Sequence, residues 1–374
     1  MKIVVATDSF RGSLTAIQAC KTIAESIRSV VPKADIIIKP MADGGEGTAQ
    51  VMIAANNGQW IKKTVTGPLP DMRVEAGFAW FRKDETALVE MAEASGLELL
   101  KPSQRNPMKT TTYGTGQLIA AAINHGAKHL LLAIGGSATV DCGTGAAAAL
   151  GWKFLDKKGQ EIVPCGGELL RISKIVPPTP PISVSMEVLC DVTNTLYGEN
   201  GAAKMYAPQK GATREMVEQL EKGLQHIAKL IKKQLGPDIK DIPGTGAAGG
   251  LSAGAIAFMG ARLVSGIQTV MTYSRLREAA DNADWLITGE GKFDRQSLWG
   301  KVVAGVVQVA RDAGTKAAVL AGQVLLEPSE YRKFGVADAI GCMTGQMTLE
   351  YAMKNSEKLL AKAAKSFAIK HLSS

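Results

Sequence analysis

With 374 residues, 46% of them hydrophobic and 21% charged, the chain can bury large cores and suits two domains better than one. Its 40 glycines gather at the ends of segments, which excludes a low-complexity linker or a fibre. The net charge of +8 sits partly in helix-like stretches such as 227–236, IAKLIKKQLG, with no interleaved aromatics, so solvated helix faces are the plain reading. A pull on anionic metabolites comes second, and no nucleic-acid partner is expected.

In chain order, the opening KIVVATD reads as a strand too short in apolar length for a signal peptide. It precedes a stretch at 15–31 whose Ala, Ile and Val recur at helical spacing. ADIIIKP (34–40) precedes the helix-like EGTAQVMIAANN. Residues 59–100 differ: three short β-like runs broken by turn signals predict an antiparallel hairpin or meander. HLLLAIGG (129–136) leads into the small-residue helix TGAAAALG, and the prolines of 176–183 predict a loop. ADWLITGEG, KAAVLAGQ and ADAIGCM are the last three strands, each followed by a helical stretch. The longest apolar run, 302–310, is about half of the roughly 18–20 residues that cross a bilayer, so no membrane partner is expected.

Apolar strands separated by helices predict a parallel sheet covered on both faces, a doubly wound α/β architecture. The expected arrangement is two α/β domains. One, built from 1–58 and 280–374, carries a flavodoxin- or Rossmann-like sheet shared by the N-terminal βαβ and the last three βα units. The other, 59–279, is mixed α/β, and such an arrangement leaves a cleft between them. Five widely spaced cysteines without a CxxC favour a reducing cytoplasm over a disulfide framework or a structural zinc. Four histidines leave little for a His-based triad or metal site.

Acids recur just past predicted strand ends: Asp8 after KIVVAT, Asp43 after IIIKPMA, Asp191 after MEVLC, Glu290 and Asp294 after WLITG, and Asp141 a few residues after LLLAIGG. Ligands bind in the crevice outside those ends in open α/β sheets. One such Asp could be a helix N-cap, but five or six suit a hard cation such as Mg²⁺, or a hydroxyl nucleophile needing a carboxylate base. IGGSATVDCGTG (134–145) sets Gly135, Gly136, Ser137 and Thr139 between a strand and a helix, where backbone N–H groups can face a phosphate. GTGAAGG (244–250) contains a weak dinucleotide pattern whose plainer reading is a tight turn and close helix packing. No Walker P-loop or protein-kinase motif set occurs. The residues by themselves point to metal-assisted chemistry on a phosphorylated or carboxylated small molecule.

Along nearly its whole length the chain resembles the glycerate kinases of the bacterial glycerate 2-kinase type (type 1). The motifs that carry the resemblance include DSFRGSLTA (8–16), PMADGGEGT (40–48), EMAEASGLELL (90–100), IGGSATVDCGTGAAAALG (134–151), CDVTNTLYGENGAAKMYAPQKGA (190–212) and LITGEGKFDRQSLWGK (286–301). The resemblance implies transfer of the ATP γ-phosphoryl group to glycerate, with Mg²⁺, in an active site in the cleft between two α/β domains; a monomer or homodimer is expected. Asp191, in the family's most distinctive motif, is the candidate base. Asp43 and Glu46 are candidates for Mg²⁺ or substrate hydroxyls, with Asp8 and Asp294 beside them. Arg11, Ser13 and Lys292 are candidates for the substrate carboxylate or the migrating phosphoryl group. Gly135, Gly136, Ser137 and Thr139 are candidates for nucleotide phosphate, with Lys210 as a further phosphate contact. The chain departs from the family at Arg11, Val140, Cys142, Thr195 and Lys292, where Lys, Asn, Gly, Pro and Arg are usual. Val140 removes a polar side chain from the expected ligand loop, which leaves a kinase of another small hydroxy acid, or a non-catalytic metabolite-binding relative, as alternatives.

Overall fold

The computed structural model of the chain describes residues 1–298, 301–345 and 347–373. The chain divides into two compact units. The first holds residues 1–43, 50–56 and 267–374, and the second holds 44–49 and 57–266. The stretch 267–279 thus goes with the first unit, and the 44–49 loop with the second.

The first unit is built on a five-stranded sheet in the order Val336–Gly341, Lys316–Ala321, Trp285–Thr288, Lys2–Val5, Asp35–Ile38, with every pair parallel. These are the two N-terminal and three C-terminal strands that the apolar runs marked out. Alternate residues face opposite sides. Ile3, Val5, Trp285, Ile287, Ala318 and Leu320 share a core with Ile23, Ile27, Leu360 and Phe367 from helices Ala16–Val30 and Ser356–His371. Val4, Leu286, Ala317 and Val319 are also buried. Helix Val302–Asp312 packs on the two strands to which the last three of these belong. The long apolar run is therefore one helix whose buried Val302, Val303, Val306, Val307 and Ala310 follow helical spacing. Helix Ala16–Val30 starts at Thr15 because a capping box forms there. The Thr15 hydroxyl accepts from Gln18 N at 3.2 Å, and Gln18 Oε1 accepts from Thr15 N at 2.9 Å.

The second unit has a six-stranded mixed sheet in the order Arg262–Val264, Ser185–Leu189, His129–Ala133, Thr86–Glu90, Arg73–Phe81, Gln59–Thr66. The last three form the antiparallel meander expected from the broken β-like runs, and the first four run parallel. One continuous core, including Phe78, Val89, Leu118, Leu132, Val188 and Leu224, lies against this sheet. Helix Arg214–Gln234 contributes Leu220, Leu224, Ile227 and Ile231 and leaves Lys222, Lys229, Lys232 and Lys233 exposed, so its positive charge is a solvated face. Among the described residues no helix is long and apolar enough to cross a membrane.

Glycines set the closest packing in the second unit. A Cβ on Gly116, in helix Tyr113–Asn124, would stand 2.2 Å from the Ala146 carbonyl oxygen in helix Thr144–Ala149. Gly116→Ala is expected to destabilise the chain by at least about 2 kcal/mol, measured as a lower midpoint in urea. An unchanged midpoint would mean that the two helices separate at little cost.

Candidate functional site

In the first unit the hydrogen-bonded ladder runs on past the strands and carries three acids to the same sheet end. Ala6 N donates to Ile287 O at 2.7 Å and Asp8 N to Gly289 O at 2.9 Å. On the other side Lys39 N donates to Val5 O and Met41 N to Thr7 O, at 2.8 and 2.9 Å. Asp8, Asp43 and Glu290 follow directly. Burial, with the nearby Asp43 charge, raises the Asp8 carboxyl to about 7, against the favourable bond from Ser9 N at 2.6 Å. Burial also raises Glu290, and its Oε1 is a buried oxygen without a hydrogen-bond partner among the described residues. Arg11 answers this negative field: Nη2 stands 3.9 Å from Asp43 Oδ2, with the guanidinium otherwise in solvent.

Asp294 is engaged locally. Its Oδ1 accepts from Gln296 N at 2.8 Å, as an Asx turn opening the short turn Arg295–Leu298, and its Oδ2 pairs with Lys292 Nζ at 3.1 Å. The Lys292 partnership holds the Asp294 carboxyl below its ordinary value. Ser13 Oγ donates to Phe10 O at 2.8 Å within the 8–16 turn. Trp299 and Gly300, part of the 286–301 motif, lie outside the described residues.

In the second unit three loops meet at the carboxyl ends of the parallel strands. The 44–49 loop turns through Gly44 and Gly47, whose φ of +85° and +86° suit glycine. A Cβ on Gly135 would come 2.6 Å from Gly45 Cα, and one on Gly44 would come 3.0 Å from Leu189 Cβ and 3.3 Å from Gly266 Cα. The strand-end acid Glu90 holds this loop from behind, accepting from Ala49 N at 2.5 Å and Gly47 N at 3.3 Å. Burial pushes its carboxyl up to about 7 despite those two bonds. Glu46 is exposed on the same loop, and its charge reaches Glu90 and Glu93. Asp191, two residues past strand Ser185–Leu189, is exposed and accepts from Ser265 Oγ at 2.7 Å.

Several expectations are corrected here. Thr139 is fully buried, so it cannot face a nucleotide phosphate alongside the accessible Gly135, Gly136 and Ser137. Lys210 is 2% exposed and donates to Ser137 Oγ and the Thr139 carbonyl, which removes it from direct phosphate contact. Burial lowers its amine to about 7, with Asp141 acting in the opposite sense. Asp141 is itself fully buried and accepts from Thr112 N, Thr112 Oγ1, Gly143 N and Gly145 N, a structural knot rather than a wall of the site. Val140 belongs to the apolar core, so it takes nothing polar from a ligand surface. Cys142 adopts φ +52°, a left-handed conformation that suits glycine better than a residue with a side chain. Gly249 and Gly250, in the GTGAAGG stretch, are left-handed and packed against residues 139–142, as the tight-turn reading held.

Asp43 belongs to the first unit and Glu46 to the second. Among the described residues no three His, Cys, Asp or Glu side chains are grouped so as to hold a metal ion by themselves. Sequence reading did not single out Glu90, although it obeys the same strand-end rule, because its strand was read as part of the meander. Glu290 was noted by position but given no role, and nothing in the sequence marks Ser265.

Raised carboxyls cost stability where they are ionised. Between the unfolded value and about pH 7 the folded state holds the Asp8 proton and the unfolded chain does not, so its contribution to stability falls as pH rises. Asp8→Asn should therefore be more stable than the parent at pH 8, by about 1 kcal/mol or more, with the gap closing toward pH 4. Denaturant melts of both proteins at the two pH values check this, and a gap that widens on acidification would refute it.

The glycerate kinase family model matches residues 3–371. The chain is 42% identical to a glycerate kinase of Halalkalibacterium halodurans over 370 residues, covering 98% of this chain and 97% of that protein. It is 41% identical to the glycerate 2-kinase of Escherichia coli over 373 residues, again covering 98% and 97%. Its fold matches the crystal structure of a Salmonella typhimurium LT2 protein assigned as glycerate kinase 2, with a TM-score of 0.87, 39% identity and coverage of 99% and 98%.

Proposed function

The chain belongs to the glycerate kinase family and is an enzyme that phosphorylates glycerate, and we propose that it transfers the γ-phosphoryl group of magnesium-bound ATP to the 2-hydroxyl. The full-length match to the Escherichia coli glycerate 2-kinase carries the choice of hydroxyl. The oxygen-rich chemistry of both strand-end clusters supports a phosphoryl transfer.

Magnesium arrives as part of the nucleotide substrate. The first unit suits such a cation. Its donors are all carboxylate oxygens, which hard cations prefer, Asp8 and Asp43 repel each other, and Glu290 Oε1 is a buried oxygen in want of a partner. Asp43 is the metal contact in this reading, and Glu46 holds metal or a substrate hydroxyl. Arg11, with its guanidinium in solvent beside Asp43, takes the substrate carboxylate or the migrating phosphoryl group. Lys292, Asp8, Ser13 and Asp294 orient substrate around them. Gly135, Gly136 and Ser137 face a nucleotide phosphate.

The glycerate hydroxyl must lose its proton as the phosphorus–oxygen bond forms, and Asp191 is assigned as the acceptor. Ser265 Oγ fixes one of its oxygens and the side chain is accessible. A second reading gives that role to Asp8, because its raised proton affinity lies nearer to neutral pH, where a base works best. The rival substrate, another small hydroxy acid, loses its main support, since Val140 lies in the core.

Asp191→Asn is expected to lower kcat by at least about 10²-fold while the far-ultraviolet circular dichroism is unchanged. An ADP-release assay with glycerate and magnesium measures this, with the phosphorylated carbon identified by phosphorus-31 and proton NMR. Near-normal turnover in Asp191→Asn together with loss in Asp8→Asn would transfer the role to Asp8. ADP release that does not depend on glycerate would overturn the substrate.

A further inference from the structure

Lys210 ends the short turn Pro208–Lys210 and lies beneath the 135–139 loop. Its Nζ donates to Ser137 Oγ at 2.6 Å and to Thr139 O at 2.8 Å. The charged group acting on it is Asp141, whose two oxygens already accept four bonds from backbone and hydroxyl donors. Burying an amine in such company costs free energy, and an unbranched apolar side chain would fill the same space without that cost. The position therefore calls for an account other than packing.

The hydrogen-bond inventory supplies it. An ammonium has three hydrogens and no lone pair, so Ser137 Oγ can only accept from it. The proton of the Ser137 hydroxyl must then point away from the lysine. Among the described residues no protein acceptor takes it, and Ser137 is half-buried beside the exposed Gly136, whose φ is +72°. The loop thus offers a hydroxyl donor whose direction is imposed from behind.

We propose that Lys210 is a positioning residue that makes Ser137 an obligate donor to an anionic oxygen of a bound substrate, a phosphate oxygen of the nucleotide or the carboxylate of glycerate. This deepens the reading of the 135–137 loop as a substrate contact and rests on it. Lys210 never meets the ligand. It acts by setting the direction of the Ser137 proton and by anchoring the Thr139 carbonyl, so the loop keeps its curvature when empty.

Four proteins test this: the parent, Ser137→Ala, Lys210→Met and the double variant, with KM for ATP and for glycerate and kcat measured separately. One KM is expected to rise about 10-fold in each single variant, with a smaller change in kcat and no further rise in the double variant. The KM that moves identifies the anionic oxygen. The ratio of the Lys210→Met KM to the parent KM should be largest at pH 6 and shrink toward pH 8, because loss of the proton lets the parent amine accept from Ser137. Lys210→Gln, which keeps an N–H donor, should recover part of the affinity, and it replaces Lys210→Met if that variant does not fold. If Ser137→Ala raises a KM and neither Lys210 variant does, the positioning role fails while the loop reading stands. If Ser137→Ala changes neither KM, the loop reading fails and the proposal with it.

Discussion

The arrangement of the second unit depends on one backbone contact, that of Gly135 with Gly45. A Cβ at Gly135 would stand 2.6 Å from Gly45 Cα, a distance at which no side-chain carbon is tolerated. Because neither residue has one, the loop after strand His129–Ala133 lies directly against the 44–49 loop. Gly44, seated against Leu189 and Gly266, brings in the ends of two further parallel strands. The 44–49 loop thus lies against the ends of three parallel strands of the second unit, and Glu46, Ser137 and Asp191 are set beside these contacts by backbone rather than by long side chains.

Loops packed this closely have few ways to satisfy their own polar groups, and two buried charges serve that need. Glu90 receives the N–H groups of Gly47 and Ala49, and Lys210 donates to Ser137 and Thr139. Both are pushed toward neutrality by burial, one up and the other down. Asp141, with four donors and no exposure, ties the same stretch to the start of helix Tyr113–Asn124. These groups are there to shape loops, at a cost in stability that a purely structural design would avoid.

The first unit solves a different problem with the same sheet chemistry. Asp8 and Glu290 are raised by burial there, as Glu90 is in the second unit. Asp8 keeps one short bond from Ser9 N, and Glu290 Oε1 has no partner among the described residues. A cluster left with raised proton affinity and an unfilled acceptor is under electrostatic tension that a cationic ligand relieves. Asp294 shows the contrast: a lysine and a turn satisfy it, and its carboxyl is held below the ordinary range instead.

Sequence alone determined the alternation of apolar strands and helices, the hairpin or meander within 59–100, the grouping of the first two strands with the last three, and the strand-end positions of Asp8, Asp43, Asp191 and Glu290. These follow from periodicity and from local turn chemistry, which act between residues near in the chain. Tertiary structure decided which of those acids are buried and which are accessible. Asp141 and Asp191 read alike as strand-end acids, yet one is sealed among four donors and the other is exposed beside Ser265. Thr139, Val140 and Lys210 read as ligand-facing and are buried, whereas Glu90 read as part of a hairpin and holds a loop. The partners that decide these cases include residues tens of positions away, such as Thr112 for Asp141, Ser265 for Asp191 and Ser137 for Lys210, and no local pattern encodes which of them will arrive.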